Sequence, residues 1–485
     1  MNRILSNLKP KEVFHYFEEI SEIPRGSGNE QEISNYLVQF AKNNNLEYFQ
    51  DEFLNVIIKK PGTNGYENSP IVILQGHMDI VCEKSEEIYH DFLKDPLKLR
   101  INEDFVKATG TTLGADNGIA VAYALAILAS KDIQHPPIEV LITTEEETGM
   151  GGAANLDGNM LEGKILINID SEEEGELLTS CAGGVRSKVK LPINWVELQS
   201  EYKFVMLKIK GLKGGHSGME IVKGRGVASK LIGRVLFDIA KDIEFYLSSI
   251  KAGAKMNAIP RNAEATLLIS DIEVKKLSEL VDKWNEIFKN ELKGIDDDVL
   301  LEMNILEEKS KKVFSKKTRN RVINILTTMP QGVQTMSNDI CGLVQSSTNL
   351  GVVSTEEDCV MFESAVRSSI GSLKDEITNR IKVVAKVNQA KQTLVSSYPE
   401  WQYKKDSYIR DLFGSVYEKM YGDKPKITAI HAGLECGLLK EKLGDIDMIS
   451  FGPNMFDVHT PEERLSISST ERTWKYLLKV LKEIK

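Results

Sequence analysis

The sequence predicts an α/β protein with a mixed, mostly parallel sheet, helices on both faces of that sheet, and an inserted α+β domain. Short apolar runs alternate with helical stretches up to about residue 180. The pattern changes after Gly183 and Gly184 and returns to its first form from about Tyr398. Uninterrupted runs of β-branched residues separated by helices are typical of strands that are buried on both faces, as in parallel sheets.

The elements outside the insert follow from the periodicity of apolar residues. We predict strands at 55–59, 71–75, 138–143 and 164–169, with a helix at 117–130. Near the end of the chain, the pattern predicts a helix at 406–421, a strand at 448–451 and a long amphipathic helix from about residue 468. In sheets of this kind, ligands bind just beyond the carboxyl ends of the strands.

The insert has a different rhythm. We predict alternating strands at 203–210, 263–270 and 360–368, and amphipathic helices at 227–243 and 274–292. Strands and helices in this order are typical of an α+β domain. Because no low-complexity linker is present, we expect one core domain formed by residues 1–185 and 396–485, and an insert formed by residues 186–395.

Composition excludes several classes of protein. The 485 residues are 41% hydrophobic and 27% charged, which does not fit a collagen-like, disordered or disulfide-scaffold chain. The net charge of −10 argues against non-specific nucleic-acid binding. No apolar stretch reaches the roughly 20 residues that span a bilayer, and the first residues lack the pattern of a secretory signal. Five cysteines without CxxC spacing fit a reducing cytoplasm. We therefore expect a cytoplasmic protein without nucleic-acid or membrane partners.

His77 and Asp79 lie two residues apart at the end of a predicted strand, in Gly76-His77-Met78-Asp79. Strand alternation directs both side chains to the same side. A metal-binding histidine usually donates its second ring N–H to a carboxylate, and this spacing suits such a pair. The alternative is a hydrogen-bonded histidine with a structural role.

Asp116 lies in the segment 114–118, directly before a predicted helix. Aspartate is favoured at the N-cap position, which is the simplest interpretation of this residue. A carboxylate at a junction between loop and helix beside a sheet is also suited to bridging two cations.

Two further strand ends carry acidic residues. Glu145, Glu146 and Glu147 follow the strand at 138–143, where their mutual repulsion is costly unless a cation or a proton compensates it. Asp170 follows the strand at 164–169. The alternatives are a solvated acidic turn for the first group and a turn that ends the strand for Asp170.

Taken together, these residues indicate a metal site at the carboxyl edge of the sheet. A set of histidines and carboxylates without cysteine suits zinc, manganese or cobalt. Several carboxylates with few histidines favour two ions that share a bridging carboxylate and a hydroxide.

Such a site needs a second histidine. His459 lies in a loop near the end of the chain, and its alternative is a loop residue beside a helix start, because Thr460-x-x-Glu463 resembles a capping box. His216 is flanked by glycines, which permit close approach of the backbone to a ligand. His431 belongs to the segment 431–437. The remaining three histidines have no supporting pattern: His15, His90 and His135.

These motifs resemble those of the dinuclear zinc superfamily of aminoacylases, carboxypeptidases and dipeptidases. More closely, the chain resembles the bacterial aminoacyl-histidine dipeptidases of the PepD type along nearly its whole length. The motifs that carry the resemblance are GHMD (76–79), LGADNG (113–118), EEETGMGGA (145–153), NIDSEEEGE (168–176), GGHSG (214–218), MNAIPR (256–261), HAGLECG (431–437) and VHTPEE (458–463).

The resemblance implies roles for the residues of the metal site. His77 and Asp170 would bind one ion, Glu147 and His459 the other, and Asp116 would bridge the two. Asp79 would orient His77, and Glu146 would be the general base. The assignment of Glu146 and Glu147 rests on the family pattern Glu-Glu-x-Gly, counted back from Gly149. The resemblance also implies a cis peptide bond next to Asp116.

The resemblance also implies roles for residues of the insert and of the HAGLECG motif. The insert would be a lid, through which relatives often form homodimers, and its His216 would stabilise the oxyanion of the reaction intermediate. Asn257 and Arg367 would bind the C-terminal carboxylate of the substrate. The alternatives are a turn residue for Asn257 and a surface strand residue for Arg367. His431 would also contact the substrate, and Glu435 would bind the substrate's free amine or support the site from behind.

The sequence thus predicts a cytoplasmic dipeptidase with two divalent ions, most simply zinc, with manganese or cobalt as alternatives. It would hydrolyse unblocked dipeptides, with Xaa-His as the expected class, through a hydroxide bridging the two ions. One alternative is an aminoacylase or a carboxypeptidase on the same two-metal core. The other is a peptide-binding relative without catalytic activity.

Overall fold

The structure is a computed structural model that describes residues 3–199, 201–307 and 312–485. The chain divides into two compact units. The first consists of Met1–Cys181, Trp401–Ala429 and Leu434–Lys485, and the second of Ala182–Glu400 and Ile430–Gly433.

The first unit contains an eight-stranded sheet with a parallel centre. Strands Ile138–Thr143, Val72–His77, Ile165–Asn168 and Asp447–Ser450 pair side by side in parallel. Antiparallel pairs flank them on both sides, so the sheet is mixed, as the apolar runs predict. In spatial order the strands are Glu47–Gln50, Val56–Lys60, Ile138–Thr143, Val72–His77, Ile165–Asn168, Asp447–Ser450, Glu176–Cys181 and Lys426–Ile430.

Both faces of this sheet are covered. Every residue of the strands Val72–His77 and Ile138–Thr143 is buried. Since successive side chains of a strand point to opposite faces, burial of all of them requires cover on both. Helix Ala115–Ala129 packs on Val72–His77 and is buried around nearly its whole circumference. The helices of the unit are Lys11–Ser21, Gln31–Asn43, Ala115–Ala129, Glu146–Gly149, Gly151–Asn155, Tyr408–Tyr421, Glu435–Leu443 and Ile467–Glu483, with a 3-10 turn at Gly158–Met160.

A small antiparallel sheet completes the first unit. It brings the loop that carries His459 beside the segment that precedes helix Ala115–Ala129, because strand Arg464–Ser466 pairs with strand Phe105–Ala108. In order, its strands are Met455–Phe456, Arg464–Ser466, Phe105–Ala108 and Leu99–Asn102.

The second unit is built on an antiparallel sheet of nine strands, as expected for an α+β domain. Burial alternates along strand Lys203–Lys210, so one face of the sheet covers the core of this unit. The strands are Leu300–Leu306, Lys203–Lys210, Ala263–Ile269, Phe245–Ala252, Val344–Thr355, Cys359–Ser368, Gly183–Pro192 and Lys391–Tyr398 in spatial order, with Gly332–Met336 paired to Val344–Thr355. Two short pairs, Trp195–Glu197 with Lys312–Phe314 and Gly215–His216 with Ala258–Ile259, lie outside this sheet. The helices are Ala228–Asp242, Val274–Glu291, Lys316–Thr328 and Gly371–Val387, with 3-10 turns at Ile221–Lys223 and Asp271–Glu273.

The boundaries of the second unit differ from the expected ones. The expected boundaries after residues 185 and 395 fall inside strands Gly183–Pro192 and Lys391–Tyr398, which pair with each other in the nine-stranded sheet. Residues 430–433, expected in the core domain, also group with the second unit. The strand pairing, which apolar periodicity does not reveal, moves these boundaries outward.

No helix in the described parts of the chain has both the length and the apolar character needed to cross a bilayer.

Candidate metal centre

The candidate ligands lie at the carboxyl edge of the parallel strands. His77 is the last residue of strand Val72–His77, and the Glu146–Gly149 helix follows strand Ile138–Thr143. Asp170 follows strand Ile165–Asn168 by two residues. Because parallel strands end at one edge of a sheet, residues far apart in the chain meet there.

Asp116 lies between the two candidate histidines. Its Oδ1 is 3.2 Å from Nε2 of His77, and its Oδ2 is 3.1 Å from Nε2 of His459. His77 Nε2 also lies 3.5 Å from Oδ1 of Asp170, and His459 Nε2 lies 3.0 Å from Oε1 of Glu147. One carboxylate with one oxygen towards each histidine has the arrangement of a bridging ligand between two ions.

Three groups of side chains can each converge on one ion. In each group, one ligand atom per residue lies within 4.8 Å of the others. Glu145 belongs to none of them, and its side chain is exposed. The groups are His77, Asp116 and Asp170; His77, Glu146 and Glu147; and Asp116, Glu147 and His459.

The electrostatics of these side chains reflect carboxylates buried without enough positive charge. Burial raises the pKa of Asp170 to about 7, although His77 opposes the shift and Asp116 and Glu147 add to it. Burial also raises the pKa of Glu146 well above its usual value. Such crowding is costly unless cations compensate it, so the donor set fits divalent metal ions.

The two histidines respond in the opposite direction. Burial disfavours a charge on His77, but the carboxylates around it raise its pKa well above 6.5, with Asp170 the largest contributor. Hydrogen bonds to Asp116 and Glu147 raise the pKa of His459 to about 11. The surrounding carboxylates therefore favour positive charge at both imidazole positions.

Asp79 is completely buried behind His77. The Nδ1 of His77 lies 3.1 Å from the backbone oxygen of Asp79 and 3.4 Å from its Oδ1. The same carboxylate accepts hydrogen bonds from the backbone N–H groups of Glu146 (3.1 Å) and Glu147 (3.2 Å) and from the hydroxyl of Ser27 (2.7 Å). Asp79 therefore contacts the imidazole and also anchors the turn that carries two acidic residues of the site.

The segment that carries Asp116 is held by Glu463. Asp116 and Asn117 have non-helical backbone angles in the first turn of helix Ala115–Ala129, and the oxygens of Asp116 face His77 and His459 and not the N–H groups of the helix, so the structure does not support the N-cap interpretation of Asp116. The buried carboxylate of Glu463 accepts four backbone N–H groups, those of Leu113 (2.8 Å), Gly114 (3.0 Å), Ala115 (2.8 Å) and Asp116 (3.3 Å). The peptide bond between Asp116 and Asn117 is cis.

The capping-box interpretation of Thr460 and Glu463 is also wrong. The next helix, Ile467–Glu483, begins after strand Arg464–Ser466, and the Ser466 side chain caps it by accepting the N–H of Ser469.

The guanidinium of Arg25 also contacts the segment held by Glu463. It donates hydrogen bonds to the carbonyl oxygens of Met78 (2.9 Å) and Gly114 (2.7 Å).

Glu435 is buried beneath the sheet edge. Its Oε2 accepts hydrogen bonds from Nε2 of Gln75 (2.6 Å) and Oγ1 of Thr143 (2.7 Å). Its Oε1 has no hydrogen-bond partner among the described residues, and burial raises the pKa of Glu435 to about 7. This burial favours the supporting role over direct binding of a substrate amine.

The remaining predicted residues lie in the second unit. His216 is in the short strand Gly215–His216, and Asn257 directly precedes its partner strand Ala258–Ile259. Asn257 lies in a turn, in which the N–H of Ala258 donates to the backbone oxygen of Lys255 (3.1 Å), and its own backbone oxygen accepts the N–H of Ser217 (2.9 Å). The N–H of Met219 donates to Nδ1 of His216 (3.3 Å).

Arg367 and His431 lie close together in the second unit. Burial lowers the pKa of His431 to about 3, and the positive charge of Arg367 adds to this effect. Burial and Arg367, in that order, also lower the pKa of His216. The hydroxyl of Ser347 lies 2.7 Å from Nε2 of His431. Burial, with a smaller contribution from the charge of Arg367, thus favours the neutral form of both imidazoles.

The structure therefore brings His77, Asp116, Glu146, Glu147, Asp170 and His459 together, with Asp79 and Glu435 in contact with them or beneath them. Within the second unit it gathers His216, Arg367 and His431. Sequence reasoning missed several residues that hold these groups, since each appears in the sequence as an ordinary polar residue. They are Ser27, Gln75, Thr143 and Ser347. Glu463 belongs with them, because the sequence suggests only a capping box for it.

Comparison with known proteins assigns this arrangement to a class. The model of peptidase family M20/M25/M40 matches residues 73–483, and the chain belongs to this family. This membership confirms the predicted class of enzyme, a hydrolase that acts on peptide bonds.

Within this family, the chain is similar over nearly its whole length to two proteins named as dipeptidases. The chain is 40% identical over 480 residues to the cytosol non-specific dipeptidase of Escherichia coli, covering 99% of both chains. It is also 40% identical to the crystal structure of the aminoacylhistidine dipeptidase from Vibrio alginolyticus, with a TM-score of 0.95, covering 99% of this chain and 98% of that one. An aminopeptidase PepT from Bacillus cereus, 15% identical with a TM-score of 0.56 over 98% of this chain and 99% of that one, shares the fold. These matches confirm the predicted family and fold class.

Proposed function

We propose that this protein is a metal-dependent dipeptidase that hydrolyses unblocked dipeptides, including Xaa-His dipeptides. The observation that carries the proposal is the position of Asp116, with one carboxylate oxygen towards His77 and the other towards His459. The two full-length relatives at 40% identity, both named as dipeptidases, support the choice of substrate class.

We assign two divalent ions to this site. His77 and Asp170 would bind one ion, Glu147 and His459 the other, and Asp116 both. Nitrogen and carboxylate donors without thiolate suit zinc, with manganese and cobalt as alternatives. When bound, such ions acidify a water molecule and polarise the carbonyl of the scissile bond.

In this proposal, Glu146 would be the general base. It shares a group of ligand atoms with His77 and Glu147, and burial raises its pKa well above the usual value. A carboxylate with a raised pKa takes a proton from the attacking water and gives it to the departing amine more readily than an exposed one. The backbone contact with Asp79 would keep Glu146 in place during this transfer.

His216 is suited to stabilise the oxyanion. Because the N–H of Met219 donates to Nδ1, the neutral imidazole carries its proton on Nε2, where it can be donated. The lowered pKa keeps the ring neutral, so this donor is present at neutral pH. A donor directed at developing negative charge lowers the barrier of acyl transfer.

Arg367 and Asn257 would bind the C-terminal carboxylate of the dipeptide and His431 would contact the substrate, while Glu435 would support the metal ligands. In this proposal the second unit is a lid and the surface of a homodimer. The cytoplasmic location is supported by the name of the Escherichia coli relative, a cytosol dipeptidase.

The test is hydrolysis of a panel of Xaa-His and other dipeptides, each free or N-acetylated, by the metal-replete protein. We expect cleavage of the free forms, whereas preference for the acetylated forms would indicate an aminoacylase or a carboxypeptidase on the same core. Glu146→Gln should lower kcat by about 10²- to 10⁴-fold with both ions still bound. Glu145→Gln is the matched control, because that side chain is exposed. Equal rates for the two variants would exclude Glu146 as the base, and no cleavage of any peptide would indicate the binding relative.

A further inference from the structure

Four residues form a row across the nine-stranded sheet of the second unit. Ser347 is directly opposite Arg367, Arg367 opposite Gly184, and Gly184 opposite Tyr398. Directly opposed residues of antiparallel strands point to the same face of the sheet. The side chains of Ser347, Arg367 and Tyr398 therefore share one face.

Within this row, Arg367 is tied to Tyr398. Its Nη1 donates a hydrogen bond to the phenol oxygen of Tyr398 (3.1 Å). Its Nε is buried and has no hydrogen-bond partner among the described residues. Among the described residues, the phenol is thus the side-chain hydrogen-bond acceptor that orients this guanidinium.

Glycine at position 184 makes this contact possible. Arg367 and Tyr398 are separated by the strand that contains Gly184, and the tyrosine ring crosses this strand. A Cβ atom on Gly184 would lie 2.4 Å from the tyrosine ring, and one on Gly433 would lie 2.7 Å from it. The ring therefore occupies space that two glycines leave open.

The backbone of Tyr398 is also specifically placed. The register between strands Lys391–Tyr398 and Gly183–Pro192 shifts between Val395 and Tyr398, and Ser396 in that interval has a left-handed φ of 51°. Such bulges redirect side chains beside functional sites. The ammonium group of Lys374 donates to the backbone oxygen of Tyr398 (3.1 Å) and to Glu400 (2.8 Å), which fixes the end of the strand.

From this geometry we infer that Tyr398 is a positioning residue for the carboxylate of the substrate. It holds the guanidinium of Arg367 so that two parallel N–H groups face the C-terminal carboxylate of a dipeptide. The inference rests on the proposed function, in which Arg367 binds that carboxylate. A bidentate contact depends strongly on the orientation of the guanidinium, so loss of the phenol weakens binding while Arg367 itself is unchanged.

The experiment compares Tyr398→Phe with the wild type on an Xaa-His dipeptide and on the same dipeptide with a C-terminal amide. We expect KM for the free dipeptide to rise roughly five- to tenfold with little change in kcat, since one hydrogen bond to a charged group is lost. KM for the amide should not change, because the amide lacks the charge that Arg367 binds. Tyr246→Phe, which removes a phenol elsewhere in the same unit, is the control and should behave as the wild type.

Two further variants test whether loss of the Tyr398 phenol raises KM through the guanidinium of Arg367. Gly184→Ala, whose methyl group would displace the ring, should raise KM for the free dipeptide as Tyr398→Phe does. In an Arg367→Gln background, Tyr398→Phe should have no additional effect, because it acts through the guanidinium. Thermal unfolding of each variant shows whether it folds. If either Tyr398→Phe or Gly184→Ala fails to fold, KM of the other variant tests the inference.

The inference is overturned if Tyr398→Phe leaves KM for the free dipeptide unchanged, or raises KM equally for the dipeptide and its amide. It is also overturned if the effects of Tyr398→Phe and Arg367→Gln add. Calorimetric binding of the dipeptide to the metal-replete Glu146→Gln protein, with and without Tyr398→Phe, separates this result from failure of the proposed function. Unchanged binding refutes the role of Tyr398 alone, and absence of any dipeptide binding refutes both.

Discussion

Replacement of Glu463 by glutamine removes one of the two carboxylate oxygens that accept hydrogen bonds from the backbone of residues 113–116, the segment that carries Asp116. The carboxylate is 2% exposed and accepts four backbone N–H groups, two on each oxygen. In glutamine, an amide nitrogen replaces one of these oxygens and faces two donors. The shape of the side chain is retained, so the change tests the hydrogen bonds and the charge rather than the packing.

The magnitude follows from the number of bonds. Two N–H groups lose a charged acceptor, and hydrogen bonds to charged groups each contribute about 1.5–3 kcal/mol. Some of this loss is recovered by small rearrangements, so we expect the free energy of unfolding to fall by about 2–4 kcal/mol. Arg25, which donates to the backbone oxygen of Gly114, also loses the negative charge that contributes most to stabilising its guanidinium. The freed segment carries Asp116, so we expect metal affinity to fall by about 10- to 100-fold, as for other residues that orient ligands.

The control is Glu462→Gln, the same chemical change one residue earlier. The Glu462 side chain is 70% exposed and forms an ion pair with Lys107 at 2.8 Å. Exposed ion pairs contribute about 0–1 kcal/mol, so this variant should unfold and bind metal nearly as the wild type does. Urea unfolding of the metal-free proteins measures stability, and competition with a chelator measures zinc affinity. If Glu463→Gln and Glu462→Gln agree in both measurements, Glu463 does not position Asp116.

Two further predictions concern metal removal and pH. Chelation should lower the Tm of the wild type, because ions at 100 times their Kd stabilise the folded state by about 2.7 kcal/mol. Asp116→Asn, in contrast, should unfold at nearly the same temperature with and without zinc. For His431, the folded-state pKa of about 3 lies below the ordinary value of 6.5, so the unfolded chain binds more protons between these pH values. The free energy of unfolding should therefore fall as the pH is lowered through this range, by up to ~1.4 kcal/mol per pH unit, and should fall less steeply in His431→Asn. If the free energy of unfolding, measured with urea, depends on pH in the same way in both proteins, His431 does not contribute to the loss of stability at low pH.

Much of the site could be predicted because its residues follow buried apolar runs. Strands such as Val72–His77 and Ile138–Thr143 are indicated by short apolar runs that contain β-branched residues, and parallel strands end at one edge of a sheet. The residues just beyond these ends, His77 and Glu146 among them, could therefore be expected to meet. The adjacent carboxylates at Glu145, Glu146 and Glu147 needed the structure, since only their burial separates the exposed Glu145 from its two neighbours.

The sequence by itself determined the fold class, the family and the set of acidic and imidazole groups at the sheet edge, because apolar periodicity and motif spacing are local properties. Tertiary structure alone decided which groups support them. Glu463 binds the N–H of Leu113, 350 residues earlier, and Tyr398 reaches Arg367 across a third strand. Contacts of this kind depend on strand register and on the space left by glycines such as Gly184. They form between segments that have no common pattern in the sequence, so only the folded chain reveals them.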